Sequence, residues 1–77
     1  MNFGQWVEYK LKKMGKSQAW LIKRANLSEG SIQRWTKGQQ PRLDTVLIVC
    51  KSIARYQGVP VHRIIKQSTN NNPIIWR

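Results

Sequence analysis

Apolar residues recur at helical spacing in successive stretches of the chain. Trp6, Val7, Leu11 and Met14 follow Phe3 by 3, 4, 8 and 11 positions, which predicts one apolar face on a helix over about residues 3–13. Gly15, after Lys12, Lys13 and Met14, suits the end of that helix: cations favour the negative end of the dipole and glycine accepts left-handed dihedrals. Ser17 is placed to cap a second helix, SQAWLIKRA, with Leu21, Ile22 and Ala25 inward and Asn26, which tolerates positive φ, at its end. Ser28 is expected to cap a third helix, SEGSIQRW, with Glu29 in its first turn and Ile32 and Trp35 inward, closed by Lys37 and Gly38. A polar loop, QQPR, leads to a fourth helix in LDTVLIVCKSIARYQG, where Val46, Val49, Cys50 and Ile53 repeat at helical spacing before Gly58. Pro60 opens a fifth, PVHRIIKQ; STNNNP then reads as a linker and IIWR as an apolar tail.

This order of elements has no repeat and no strand pattern. It predicts an all-α domain, a compact bundle of about five short helices over residues 1–67, followed by a tail at 68–77. A chain of 77 residues has a small core, because a domain near 60 residues buries only about 60% of its unfolded surface. A binding surface is therefore expected rather than a deep cleft. A hydrophobic content of 40% with seven aromatics still separates it from a disordered basic tail.

Charge changes the picture most. Fourteen Lys and Arg face only Glu8, Glu29 and Asp44, a net charge of +11, which favours a polyanionic partner. Cys50 is the only cysteine, so no intrachain disulfide forms and a reducing cytoplasm is expected. The longest apolar run, Val46 to Cys50, is far short of the roughly 20 residues of a membrane span, and the first residues lack a signal-peptide core. One His and one Cys, His62 and Cys50, do not make a four-ligand zinc site, and the acids are scattered, so neither a metal, a cofactor nor an enzymatic centre is expected. Cys50 reads as core and His62 as surface. Trp6, Trp20 and Tyr56 raise stacking on single-stranded bases, but their helical spacing favours a core or interface role.

Gly15 to Gly38 contains two short helices separated by a tight turn, the pattern of a helix-turn-helix. Within it Gly15, Ser17, Gln18, Leu21, Leu27, Ser28, Ile32, Trp35 and Gly38 match, without a gap, the common form of the phage Cro and repressor family, which the sequence resembles over about Phe3 to Gln67. Asn26 stands where the family usually has a turn glycine, Ile22 where it has a small residue, and Arg42 where it often has a capping Ser. The resemblance implies a lambda-repressor-like fold in which the second helix braces the third for entry into a major groove about 12 Å wide. It implies base contacts from Glu29, Gly30, Gln33 and Arg34, chemistry that suits cytosine, close approach, adenine and guanine respectively. It also implies contacts to the DNA backbone from Lys16, Ser17, Gln18, Ser31, Lys37, Gln39, Gln40 and Arg42. A solvated helix face would account for Gln33 and Arg34 as well, and helix capping for Ser17.

The function so implied is that of a Cro-like phage or prophage repressor, a dimer that occupies a pseudo-palindromic operator in duplex DNA. Val61, Ile64 and Ile65 are the dimer candidates the resemblance supplies, and the tail residues Ile74, Ile75 and Trp76 are a further apolar contact for a weak homodimer strengthened on DNA. An antitoxin that represses its own operon, an RNA-binding protein and a membrane-active peptide are the alternatives; the matched helix pair disfavours the last two.

Overall fold

Asn2 starts the first helix by a reciprocal pair of hydrogen bonds. Its side-chain oxygen accepts from the Gln5 backbone N–H at 2.8 Å, and the Gln5 side chain accepts from the Asn2 N–H at 3.0 Å. This capping box opens α1 (Phe3–Met14), the first of five helices in the computed structural model, which describes residues 2–71 and their side chains through residue 68. The others are α2 (Gln18–Ala25), α3 (Ser31–Thr36), α4 (Leu43–Gln57) and α5 (Val61–Asn71), with no strand among the described residues. None of these helices is long and apolar enough to cross a membrane.

Most helix ends fall where the sequence puts them. Gly15 terminates α1 at φ 69°, with the Lys16 N–H donating to the Leu11 carbonyl at 2.9 Å. The Ser17 hydroxyl accepts from the Trp20 N–H at 3.1 Å to start α2, and Asn26 ends it at φ 55°. Gly58 closes α4 in the same left-handed conformation, at φ 70°.

The third helix differs. It begins at Ser31, not at Ser28, because Gly30 adopts φ 79°, a left-handed dihedral that a right-handed helix cannot pass through. Ser28 offers its carbonyl instead of its side chain: it accepts from the Ser31 N–H at 3.2 Å and the Ser31 hydroxyl at 2.7 Å. Glu29 consequently lies in the turn ahead of α3 and not in its first turn. The fifth helix differs in the other direction. It runs through residues 68–71, read from sequence as linker, and Ser68 is fully buried with its hydroxyl donating to the Ile65 carbonyl at 2.8 Å. A serine that bonds back into its own helix adds no unmet polar group to the core.

The core joins all five helices: Phe3, Trp6, Val7 and Leu11 of α1, Leu21 and Ala25 of α2, Ile32 and Trp35 of α3, Val46, Val49, Cys50, Ile53 and Ala54 of α4, and Ile64 of α5. Each large side chain so buried contributes roughly 1.5–3 kcal/mol. The short α3 rests chiefly on α1, while α2 packs on α4 and α4 on α5. Ile64 was expected on a dimer surface; it is fully buried, because the apolar face of α5 is turned to its own domain. Val61 and Ile65, the neighbouring candidates, are half-buried against the same core. Ile74, Ile75 and Trp76 lie outside the described residues.

Lys10 is the one buried charge among the described residues. Its ammonium donates to the Gln67 side chain at 3.0 Å and reaches that of Gln57 at 3.5 Å, tying α1 to the end of α4 and to α5. Burial, with Lys13 nearby adding to it, holds the amine below its ordinary pKa, partly offset by Tyr9.

Candidate nucleic-acid interface

A helix of six residues is too short to persist by its own hydrogen bonds, so α3 depends on what its inner face meets. Ile32 and Trp35 supply that face. The Trp35 ring packs 5.4 Å from Phe3, and Phe3 in turn lies 5.7 Å from Trp6. Gly4 lets the helices close up: a Cβ there would run into the Thr36 backbone, whose carbonyl also accepts from the Asn2 side chain at 2.9 Å. The platform under α3 is therefore α1, where the sequence suggested α2.

With its inner face anchored, α3 leaves Gln33 and Arg34 exposed, and Lys37 exposed at its end. Arg34 folds back toward the start of the helix, where its guanidinium donates to the Glu29 carbonyl at 3.4 Å and to the Ser31 hydroxyl at 3.3 Å. Both bonds are near the upper limit of useful length, so they park the side chain without fixing it. Gly30 lies beneath: a Cβ at that position would sit 3.3 Å from the Arg34 guanidinium. Of the four expected base-reading residues, Gln33 and Arg34 stand on α3 itself, and Glu29 and Gly30 form the turn that leads into it.

Apart from Lys37, exposed at the end of α3, the residues expected on the DNA backbone divide into three groups. Gln39, Gln40 and Arg42 gather around a shallow depression of about 240 Å3 that also borders Ser28 and Ser31, so the loop after α3 shares one surface with the turn before it. Arg42 meets Asp44 at 3.5 Å, but both side chains are well exposed and water screens the pair. Ser31 is a correction: it is 7% exposed, and its hydroxyl already donates to Ser28 and accepts from Arg34, so it serves the turn and is not free for a phosphate. The third group is at the start of α2. Ser17 is committed to its cap, Gln18 donates to Glu8 at 3.0 Å, and the Lys16 ammonium lies 5.6 Å over Trp20 and 5.0 Å over Tyr56. These contacts tie α2 to α1 and α4.

The aromatic residues resolve differently from one another. Trp6 is core. Trp20 and Tyr56 pair edge to face at 5.3 Å, with Arg24 a further 5.1 Å over Trp20. Cations lie over these rings at distances that favour cation–π attraction, so the faces a base would stack on are in use. Cys50 is buried and His62 exposed, as their contexts suggest. Arg24 also lines a groove with Lys51 and Arg55, a grouping of basic residues from two helices that spacing within one helix does not reveal.

No protein-family model matches the chain, and no curated protein or solved structure does so either.

Proposed function

We propose that this protein binds duplex DNA sequence-specifically and regulates transcription as a Cro-like repressor, with α2 and α3 acting as a helix-turn-helix. The observation that carries the reading is the outer edge of α3. Two residues suited to base edges, Gln33 and Arg34, are exposed on a helix whose other face is anchored by Trp35 and Phe3, on a chain of net charge +11.

On this reading α3 enters the major groove. Arg34 exchanges its two long internal bonds for a bidentate pair to guanine O6 and N7, while Gln33 faces adenine. Lys37, Gln39, Gln40 and Arg42 follow the phosphates beside it, and their charge supplies affinity without sequence preference. Two copies on a pseudo-palindromic site set their α3 helices about 34 Å apart and exclude polymerase from the promoter. Val61 and Ile65 remain the described residues offered to a second copy.

Selection from a pool of random duplexes tests the reading. The expected result is a pseudo-palindromic consensus with half-sites one helical turn apart. Enrichment of no sequence over background would leave only non-specific electrostatic binding and end the proposal.

A further inference from the structure

A second basic surface lies on the α2–α4 side of the molecule. Arg24, Lys51 and Arg55 line a groove of about 230 Å3 with Ile48 and Ser52. Positions 48, 51, 52 and 55 stand at i, i+3, i+4 and i+7, so α4 presents them as one stripe about 10 Å long at a rise of 1.5 Å per residue. Ser52 is turned to its own helix, its hydroxyl donating to the Ile48 carbonyl at 3.0 Å. No carboxylate neutralises the stripe: among the described residues the one ion pair is Arg42 with Asp44, and Glu8 is taken by Gln18. Ile48 lines the same groove and is 45% exposed.

We propose that this groove docks an acidic amphipathic helix of a partner protein, its carboxylates on Arg24, Lys51 and Arg55 and an aliphatic side chain on Ile48. Three cations without a carboxylate partner, one of them resting on Trp20, select a negative partner, and an exposed isoleucine beside them gains only from a partner that is apolar at the same place. Nucleic acid fits less well. A phosphate backbone offers little to cover Ile48, and the rings beside the groove already have Lys16 and Arg24 over them. A second copy of this chain fits less well still, because it brings +11 charges and its three acids are dispersed. The surface uses none of the residues assigned to base reading, so the inference stands apart from the DNA-binding proposal.

The probe is a labelled amphipathic peptide of about 14 residues, long enough for about four helical turns, with Glu on both flanks of a Leu stripe. An oligo-glutamate of the same charge and a short duplex are run beside it. Binding is read by anisotropy, and the site by amide chemical shifts of the labelled protein. The expected result is shift changes centred on Arg24, Ile48, Lys51 and Arg55, with the amphipathic peptide bound more tightly than oligo-glutamate. Lys51→Gln with Arg55→Gln, which leaves Arg24 on Trp20, weakens the peptide by about tenfold. Ile48→Ser weakens the amphipathic peptide and leaves oligo-glutamate unchanged. Equal binding of the two peptides, preferred binding of the duplex at this groove, or shift changes centred on α3 would each overturn the proposal. Unchanged helical circular dichroism in both variants separates these outcomes from loss of fold.

Discussion

Arg34 and Cys50 show how a single side chain takes its properties from what surrounds it. The guanidinium of Arg34 rests over a glycine, the one residue type that leaves it room at a positive φ, so Gly30 serves both the turn and the arginine. Cys50 is fully buried, and burial pushes its thiol up to about 11 from 9.0, against a smaller downward pull from the Ser68 hydroxyl. A pKa raised in the folded state adds stability that is complete below pH 9 and lost as pH climbs through about 11. That rise corresponds to about 3 kcal/mol. Lys10 acts in the opposite sense, because its lowered amine pKa makes folding more favourable as pH rises through that lowered value toward 10.5. Urea unfolding of wild type and Cys50→Ala from pH 8 to pH 11 isolates the thiol: wild type should lose stability relative to the variant above pH 9, and parallel profiles would contradict this. The burial of Lys10 was available in the spacing, since it follows Phe3 by seven positions and thus falls on the apolar face. Its charge concealed it, and only the fold brings Gln57 and Gln67 to its ammonium.

At the scale of the elements, the helix ends made by one residue were the most legible. Gly15, Ser17, Asn26 and Gly58 each cap by a local rule and do so here. The start of α3 was not, because Ser28 and Gly30 both carry boundary signals two residues apart and the dihedral of Gly30 decides between them. The extension of α5 was hidden for a related reason: residues 68–71 are polar types common in linkers, yet Ser68 lies one turn after Ile64 and shares its buried face. The support of α3 by α1 is a tertiary fact with one sequence trace, Gly4 inside a helix. Gly4→Ala tests that contact. Although alanine is the better helix former, the added Cβ meets the Thr36 backbone, and overpacking of this kind costs about 1–3 kcal/mol. Denaturant titration should show a lower midpoint; a raised midpoint would mean that α1 and α3 are not held so closely.

For the molecule as a whole, the charge is the dominant fact. Fourteen cations and three acids, with a single ion pair among the described residues, leave most of the positive charge unneutralised. If the partner is duplex DNA contacted at six to ten phosphates, affinity falls by about 10³–10⁵ between 50 and 200 mM salt. A nearly flat response in a filter-binding or anisotropy titration would contradict a polyanion partner. Self-association has less support than the sequence suggested, since Ile64 belongs to the core and the tail residues lie outside the described region.

The central claim, that α3 reads bases, is tested most directly by comparing the sequences selected by wild type, Arg34→Ala and Lys37→Ala from the same random pool. Arg34→Ala should cost about 1–3 kcal/mol on the wild-type consensus and relax one base position in each half-site, whereas Lys37→Ala should weaken all sequences about equally. An Arg34→Ala protein that selects the wild-type consensus unchanged would show that the edge of α3 bearing Arg34 does not face the bases.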